Sequence, residues 1–256
     1  MTPALEARGV RFDWPGRPVL RGIDLSVAPG EFRVVIGPNG AGKTTLLKIL
    51  AGLLAPVAGT VRVGGQDLAA MSRREAARRI AWVPQTLEMT FPFTVRDFAL
   101  LSRYPHHAPL SGPSAADRAA VDGALERLGM TDLGDRPLPA LSGGERQRAL
   151  LAAALAQDGT VLLADEPSAA LDPRHALEIY EILDRVRQAE DRAVVAVTHD
   201  LVLAGRFADR VTLVAGGTVE ADGSREEVLR EDVLERVYGV PWQRVDDSVL
   251  IPARRR

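Results

Sequence analysis

Hydrophobic positions along this chain change their period several times, and each change marks a segment. Over the first thirty residues apolar and polar side chains alternate, at Val10 and Phe12 and then at Ile23, Leu25 and Val27, the period of paired strands with one buried face. Pro29-Gly30 turns the chain into a short apolar run, Val34 to Ile36, and helical spacing follows at Leu46, Leu47, Ile49 and Leu50 until Gly52 ends it. Thr60 to Val63 with a Gly64-Gly65 turn is a short strand, the charged segment Arg73 to Arg79 is helical, and Ile80 to Val83 reads as a buried strand followed at once by Pro84 and Gln85. From Phe91 to about Ala156 strands disappear. Helical periods (Val95, Phe98, Leu101; Val121, Leu125, Leu128) are broken at Tyr104 to Pro113 and Arg136 to Pro139. Val161 to Ala164 and Ala193 to Val197 are continuous apolar runs, as expected of parallel strands buried on both faces. Between them Asp172 and Pro173 open a helix carrying Leu177, Tyr180, Leu183 and Val186. A hairpin across Gly216-Gly217 and a helical tail ending near Tyr238 complete the chain. The pattern predicts an α/β fold: a mixed, mostly parallel sheet, an N-terminal antiparallel β subdomain and an inserted α-helical subdomain. It is one domain over residues 1–256, with a core at 1–88 and 157–225, the helical insert at 89–156 and the C-terminal helical tail at 226–256.

Composition narrows this picture only at its edges. A chain of 256 residues that is 46% hydrophobic can bury one large core. With no cysteine there is no disulfide, thiolate metal site or cysteine nucleophile, and a reducing compartment is allowed. The start, MTPALEARGV, has neither a basic segment nor an apolar leader core, and nowhere do about 18 apolar residues run together uncharged. A cytoplasmic location is expected. The net charge of -2 gives no electrostatic reason to expect nucleic acid as a partner, and Arg254 to Arg256 read as a frayed basic terminus.

The chemistry concentrates where strands end. Gly37 to Thr45, GPNGAGKTT, lies between a strand and a helix, and Gly37, Gly42, Lys43 and Thr44 match the phosphate-binding loop. In such a loop backbone N–H groups and a helix N-terminus converge on phosphate oxygens, so Asn39, Gly40, Ala41, Gly42 and Thr45 bind through their main chain, with Pro38, which has no N–H, among them as part of the loop's wall. Lys43 would reach the terminal phosphates, and the Thr44 hydroxyl would complete the shell of a Mg²⁺ ion. By chance these four fixed positions recur in roughly one chain of this size in a hundred; the strand and helix flanks make that rarer, and nucleotide binding follows. Asp165-Glu166 ends a buried strand where open α/β sheets bind ligands; Asp165 can aim at the metal while Glu166, facing the other way, polarises a water. Thr198-His199-Asp200 ends the next strand, so His199 belongs to the same edge. Leu141 to Arg148 reads LSGGERQR, in which Ser142 and Glu145 form a capping box. Gly143 and Gly144 give up roughly 1 kcal/mol each of helix propensity in a first turn. Bare backbone at a positive helix end is what an anion contact needs, so this is a second candidate phosphate site. Trp14, before Pro15-Gly16 on a loop, is either a satellite of the core or a platform for a base.

In this order the motifs resemble the ATP-binding cassette (ABC) ATPases, the nucleotide-binding subunits of ABC transporters, from Ala4 to about Glu220. The LSGGERQR element is far more specific than the phosphate loop. The resemblance implies that ATP is held by Trp14 on adenine and residues 37–45 on the phosphates, that Gln85 senses Mg²⁺ and the membrane partner, and that Asp165 supports Mg²⁺ through water. Glu166 is implied as general base, His199 as the γ-phosphate switch, and Asp172 as the coupling residue across a dimer. Ser142, Gly143, Gly144 and Glu145 would act in trans on the ATP of a second copy of this chain. Trp14 stands in place of the usual Tyr, Ala164 of an apolar Leu and Ser168-Ala169 of Thr-Ser; none of these removes a required chemical group.

Thr94-Val95-Arg96 through Ser102 to His106, the ALAQ at Ala154 to Gln157 and Val237 to Val240 resemble the cassettes of importers for iron-siderophore, haem and cobalamin, although that group usually carries Gly at the position of Ser102. The implied partners are a homodimeric copy, an integral-membrane permease and, indirectly, a substrate-binding protein, at the cytoplasmic face of the membrane. An exporter cassette shares the motif chemistry. A soluble cassette of translation or DNA repair fits less well, because this chain has one phosphate loop and no long insertion. His106 and His107 lie on a Pro-rich loop without further ligands at metal spacing. Met89, Phe91, Phe93 and Val95 are either core of the helical insert or, for Phe91 and Phe93, an apolar docking surface for the permease.

Overall fold

The computed structural model describes residues 2–86, 91–107, 111–169, 171–245 and 250–253; Met89 and the Arg254 to Arg256 tail lie outside the described residues. The N-terminal hairpin of β1 (Leu5–Trp14) and β2 (Arg17–Val27) is antiparallel, and its alternation slips at a bulge between Ala7 and Val10, where Gly9 adopts a left-handed φ of 56°. Pairing runs to the two-residue turn, so Trp14 is the last residue of β1, opposite Arg17, and not on a loop as its neighbours Pro15-Gly16 suggest. β3 (Phe32–Ile36) feeds α1 (Lys43–Leu50); β4 (Ala58–Val63) and β5 (Gln66–Asp67) follow, then α2 (Arg73–Ala77) and β6 (Ile80–Val83). Three helices, α3 (Val95–Leu101), α4 (Ala115–Arg127) and α5 (Gly143–Gln157), fill the strandless interval. The remainder is β7 (Val161–Asp165), α6 (Pro173–Glu190), β8 (Ala193–Val197), α7 (Leu201–Phe207), β9 (Arg210–Ala215), β10 (Thr218–Ser224), α8 (Arg225–Val228) and α9 (Glu231–Tyr238).

Two main sheets result, one of four antiparallel strands in the order β2-β1-β4-β5 and one of six in the order β10-β9-β3-β8-β7-β6. In the larger sheet only the β9–β10 pair is antiparallel. Every residue of β3, β7 and β8 is buried because both sheet faces are covered. Phe32, Val34, Ile36, Leu162, Ala164, Val194 and Ala196 join one core with α3 to α7. Val35, Leu163 and Val195 join the other, where Leu46, Leu47, Ile49 and Leu50 of α1 meet the small sheet. This explains why those strands show no alternation in sequence.

Two further sequence expectations fail. Leu101, which the helical period groups with Val95 and Phe98, is 53% exposed at the last turn of α3, whereas Val95 is fully buried. The C-terminal segment is not helical to its end. Gly239 at φ 69° stops α9, and β11 (Trp242–Arg244) pairs antiparallel with β12 (Leu250–Pro252). A glycine in the left-handed region is a common helix stop, and the β-formers Trp242, Leu250 and Ile251 beyond it pair instead.

Candidate active site

Four adjacent strands, β3, β8, β7 and β6, run parallel, so their carboxyl ends deliver the phosphate loop, His199, the Asp165-Glu166 pair and Gln85 to one edge. The loop leaves β3 at Gly37, φ 149°, where a Cβ would stand 1.9 Å from the Val214 carbonyl oxygen, so no side chain fits. Gly42 caps α1 in the left-handed region without a side-chain bond, leaving the first N–H groups of the helix bare. Lys43 is 6% exposed and curls back over the loop, its Nζ donating to the carbonyls of Gly37 (2.8 Å) and Pro38 (3.0 Å). Burial lowers its pKa, and the charges of Glu166 and Asp165 oppose that shift.

Asp165 is buried, and its Oδ1 accepts the Thr44 hydroxyl at 3.1 Å. Burial pushes its carboxyl above the ordinary value while the Thr44 bond pulls it down. Glu166 does not face away by strand alternation. The strand ends at Asp165, and Glu166 takes a left-handed φ of 48°, with its N–H bonded to the Val197 carbonyl of β8 at 3.0 Å. A non-glycine residue held there is strained and persists only where its surroundings impose it. The turn aims its carboxylate between two partners: Gln85 Nε2 donates to Oε2 at 3.0 Å and His199 Nε2 lies 2.6 Å from Oε1.

A cleft of about 250 Å³ is lined by Trp14, Asn39 to Thr45, Glu166 and His199. Trp14 is 47% exposed at its rim and meets Phe12 edge-on at 5.0 Å, so one ring serves both the core and the cleft. Two residues absent from the sequence reading, Arg17 and Val19, also line it. The available signal was the turn: with two residues between strands, Arg17 must stand opposite Trp14.

Ser142, Gly143, Gly144, Glu145 and Asp172 are not among the residues lining that cleft. Ser142 caps α5 with both halves of its capping box, accepting from Glu145 N–H while Glu145 Oε2 accepts the Ser142 N–H at 2.7 Å. Those bonds hold the Glu145 carboxyl below its usual range. Ser142 and Gly143 are exposed, and the space a Cβ on Gly143 would fill is empty. Asp172 caps α6, its side chain accepting the His175 N–H at 3.0 Å and facing His175 Nδ1 at 2.6 Å. His106 Nε2 lies 2.8 Å from the Gln157 carbonyl and His107 3.6 Å from Asp117.

The family profile of the ABC transporters matches residues 20–169. A hemin import ATP-binding protein of Streptomyces coelicolor is 44% identical over 237 residues, 92% of this chain and 83% of that protein. A cobalamin import ATP-binding protein of Halobacterium salinarum is 43% identical over 234 residues, and this chain spans only 58% of its length. Among solved structures, a chain of an inward-facing, metal-chelate type ABC transporter superposes with a TM-score of 0.85 at 26% identity, covering 99% of this chain and 98% of that one. With the phosphate loop, the acidic strand end and the signature helix arranged as described, the chain belongs to the ABC transporter family.

Proposed function

We propose that this chain is the ATP-hydrolysing subunit of an ABC importer for an iron chelate, haem or cobalamin. The observation that carries the hydrolytic part is the Glu166 carboxylate, held between Gln85 and His199 beside a bare-backbone phosphate cradle. The cargo class is supported by the named roles of the relatives and by the Ser102 to His106 and Val237 to Val240 segments.

Trp14 would stack on adenine, with Arg17 alongside, and the N–H groups of residues 39–45 would receive the phosphates around Pro38. Lys43 would exchange its bonds to Gly37 and Pro38 for phosphate oxygens. The hard-oxygen pair of Thr44 and Asp165, 3.1 Å apart, fits Mg²⁺, which takes few protein ligands and keeps water and phosphate oxygens; Gln85 stands as a third oxygen donor. A bound Mg²⁺ supplies charge against the phosphate oxygens. Glu166 takes a proton from the attacking water as its oxygen bonds to the γ-phosphorus and the bond from that phosphorus to the ADP oxygen breaks; His199 orients Glu166 and faces the γ-phosphate.

The exposed signature helix supports action in trans: Ser142, Gly143, Gly144 and Glu145 would cover the ATP of a second copy, with Asp172 at the seam. In the same reading residues 89–156 form the unit presenting the signature and residues 1–88 with 157–225 the nucleotide-binding core. A permease would dock beside Gln85, placing the subunit on the cytoplasmic face of the membrane with a substrate-binding protein across it. No described helix is long and apolar enough to cross a membrane itself.

The test is Glu166→Gln, which preserves shape but cannot accept the proton. ATP affinity should persist while turnover falls by about 10²-fold or more; turnover within a few-fold of wild type refutes the base assignment.

A further inference from the structure

The two glycines of the signature turn have opposite surroundings. A Cβ on Gly143 would meet nothing within 4 Å, whereas one on Gly144 would touch the His175 ring, 3.8 Å from its Cγ and 3.9 Å from its Cδ2, and the Leu171 Cδ2 methyl at 3.8 Å. The first turn of α5 is thus open at Gly143 and backed at Gly144 by the segment that leads into α6. One turn further along both helices, Arg148 Nη1 of α5 stands 3.7 Å from Glu178 Oε2 of α6. Gly144 and Arg148 are four residues apart and His175 and Glu178 three, the spacing of one helix face, so these are two rungs of a single contact between the starts of α5 and α6.

His175 is the third residue of α6, and the helix itself gains nothing from an imidazole there. Its main-chain N–H, which nearly any residue supplies, donates to Asp172 Oδ1 at 3.0 Å, and a helix start favours acidic side chains over basic ones. The ring is fixed by the other oxygen of the same carboxylate, with Nδ1 2.6 Å from Asp172 Oδ2. These bonds hold the Asp172 carboxyl below its ordinary value, so at neutral pH it is ionised and can only accept. The proton between them therefore sits on Nδ1. His175 is not among the residues lining the phosphate cleft of its own chain.

We infer that His175 is a positioning residue for the signature: held by Asp172, its ring backs the Gly144 side of the turn, so that Ser142 and Gly143 meet the nucleotide of a second copy in one orientation and in fixed relation to Asp172. The inference rests on the action of Ser142 in trans given under Proposed function. Its consequence is directional, because the His175 of one chain serves the site of the other.

The experiment uses mixed dimers. Ser142→Arg chains combined with Lys43→Ala chains leave one working site, built from the Lys43 of the first and the Ser142 of the second. His175→Ala is then added to one chain at a time. In the Lys43→Ala chain it removes the ring behind the turn that serves the working site: kcat should fall about tenfold with the KM for ATP within about twofold, short of the roughly 10²-fold that a fully misplaced group costs. In the Ser142→Arg chain it stands behind a turn that serves no site, and kcat should stay within about twofold of the parent mixture. Equal loss in both placements shows a merely structural residue and overturns the inference, as does no loss in either. Should the alanine chains fail to fold, His175→Asn, which keeps a donor for Asp172 and gives up the ring, takes the same two placements and is judged by the same asymmetry. A parent mixture that is inactive as a demonstrated heterodimer refutes the trans reading, and the inference with it; an active parent mixture indifferent to where His175 is replaced refutes the inference alone.

Discussion

Thr44→Val tests the metal-facing pair directly, and its magnitude follows from one bond. In the structure the Thr44 hydroxyl donates to Asp165 Oδ1 at 3.1 Å, and Asp165 is 2% exposed. A hydrogen bond to a charged group contributes about 1.5–3 kcal/mol, and valine keeps the shape while removing the donor. At neutral pH the variant should lose about 2 kcal/mol, or about 4–8 °C in melting temperature for a chain of this size. The pH dependence carries the sharper test. Burial raises the folded-state pKa of Asp165 above its ordinary 3.8, so ionising it lowers stability as pH rises through that range. The Thr44 bond offsets this only while Asp165 is charged. The difference between variant and wild type should therefore be full at pH 8 and shrink as pH falls through the folded-state value. Urea unfolding at a series of pH values measures it, with Thr44→Ser as the control that restores the donor. A loss below about 0.5 kcal/mol, or one independent of pH, refutes the argument that Thr44 supports a charged, buried Asp165.

Two further predictions concern partners. If Ser142 acts on the ATP of a second chain, specific ATPase activity should rise with protein concentration, and mixing Ser142→Arg chains with Lys43→Ala chains should recover one intact site per heterodimer; no recovery in a demonstrated heterodimer contradicts the trans arrangement. Phe91 is 67% exposed with its ring 6.1 Å from that of Phe93, and the pair leads into α3, so Phe91→Ser should leave the ATPase of the free subunit near normal while co-purification with the permease falls; normal assembly and transport place the docking surface elsewhere.

What the sequence determined by itself was local. The phosphate loop, the capping box at Ser142 and the cap at Asp172, and the doubly buried strands each follow from the spacing of a few neighbouring residues, and each stands where that spacing puts it. The order of the motifs along the chain identified their family. Tertiary structure decided what depends on pairing across long separations. Gln85 meets Glu166 across 81 residues, and Thr44 meets Asp165 across 121, because β3-β8-β7-β6 are adjacent and parallel, an order that no local pattern encodes. The left-handed turn at Glu166 is imposed by its bond to β8, so alternation could place the residue but not aim it. The C-terminal hairpin was hidden for a related reason: its three-residue strands are too short to show a period and form only by pairing with each other.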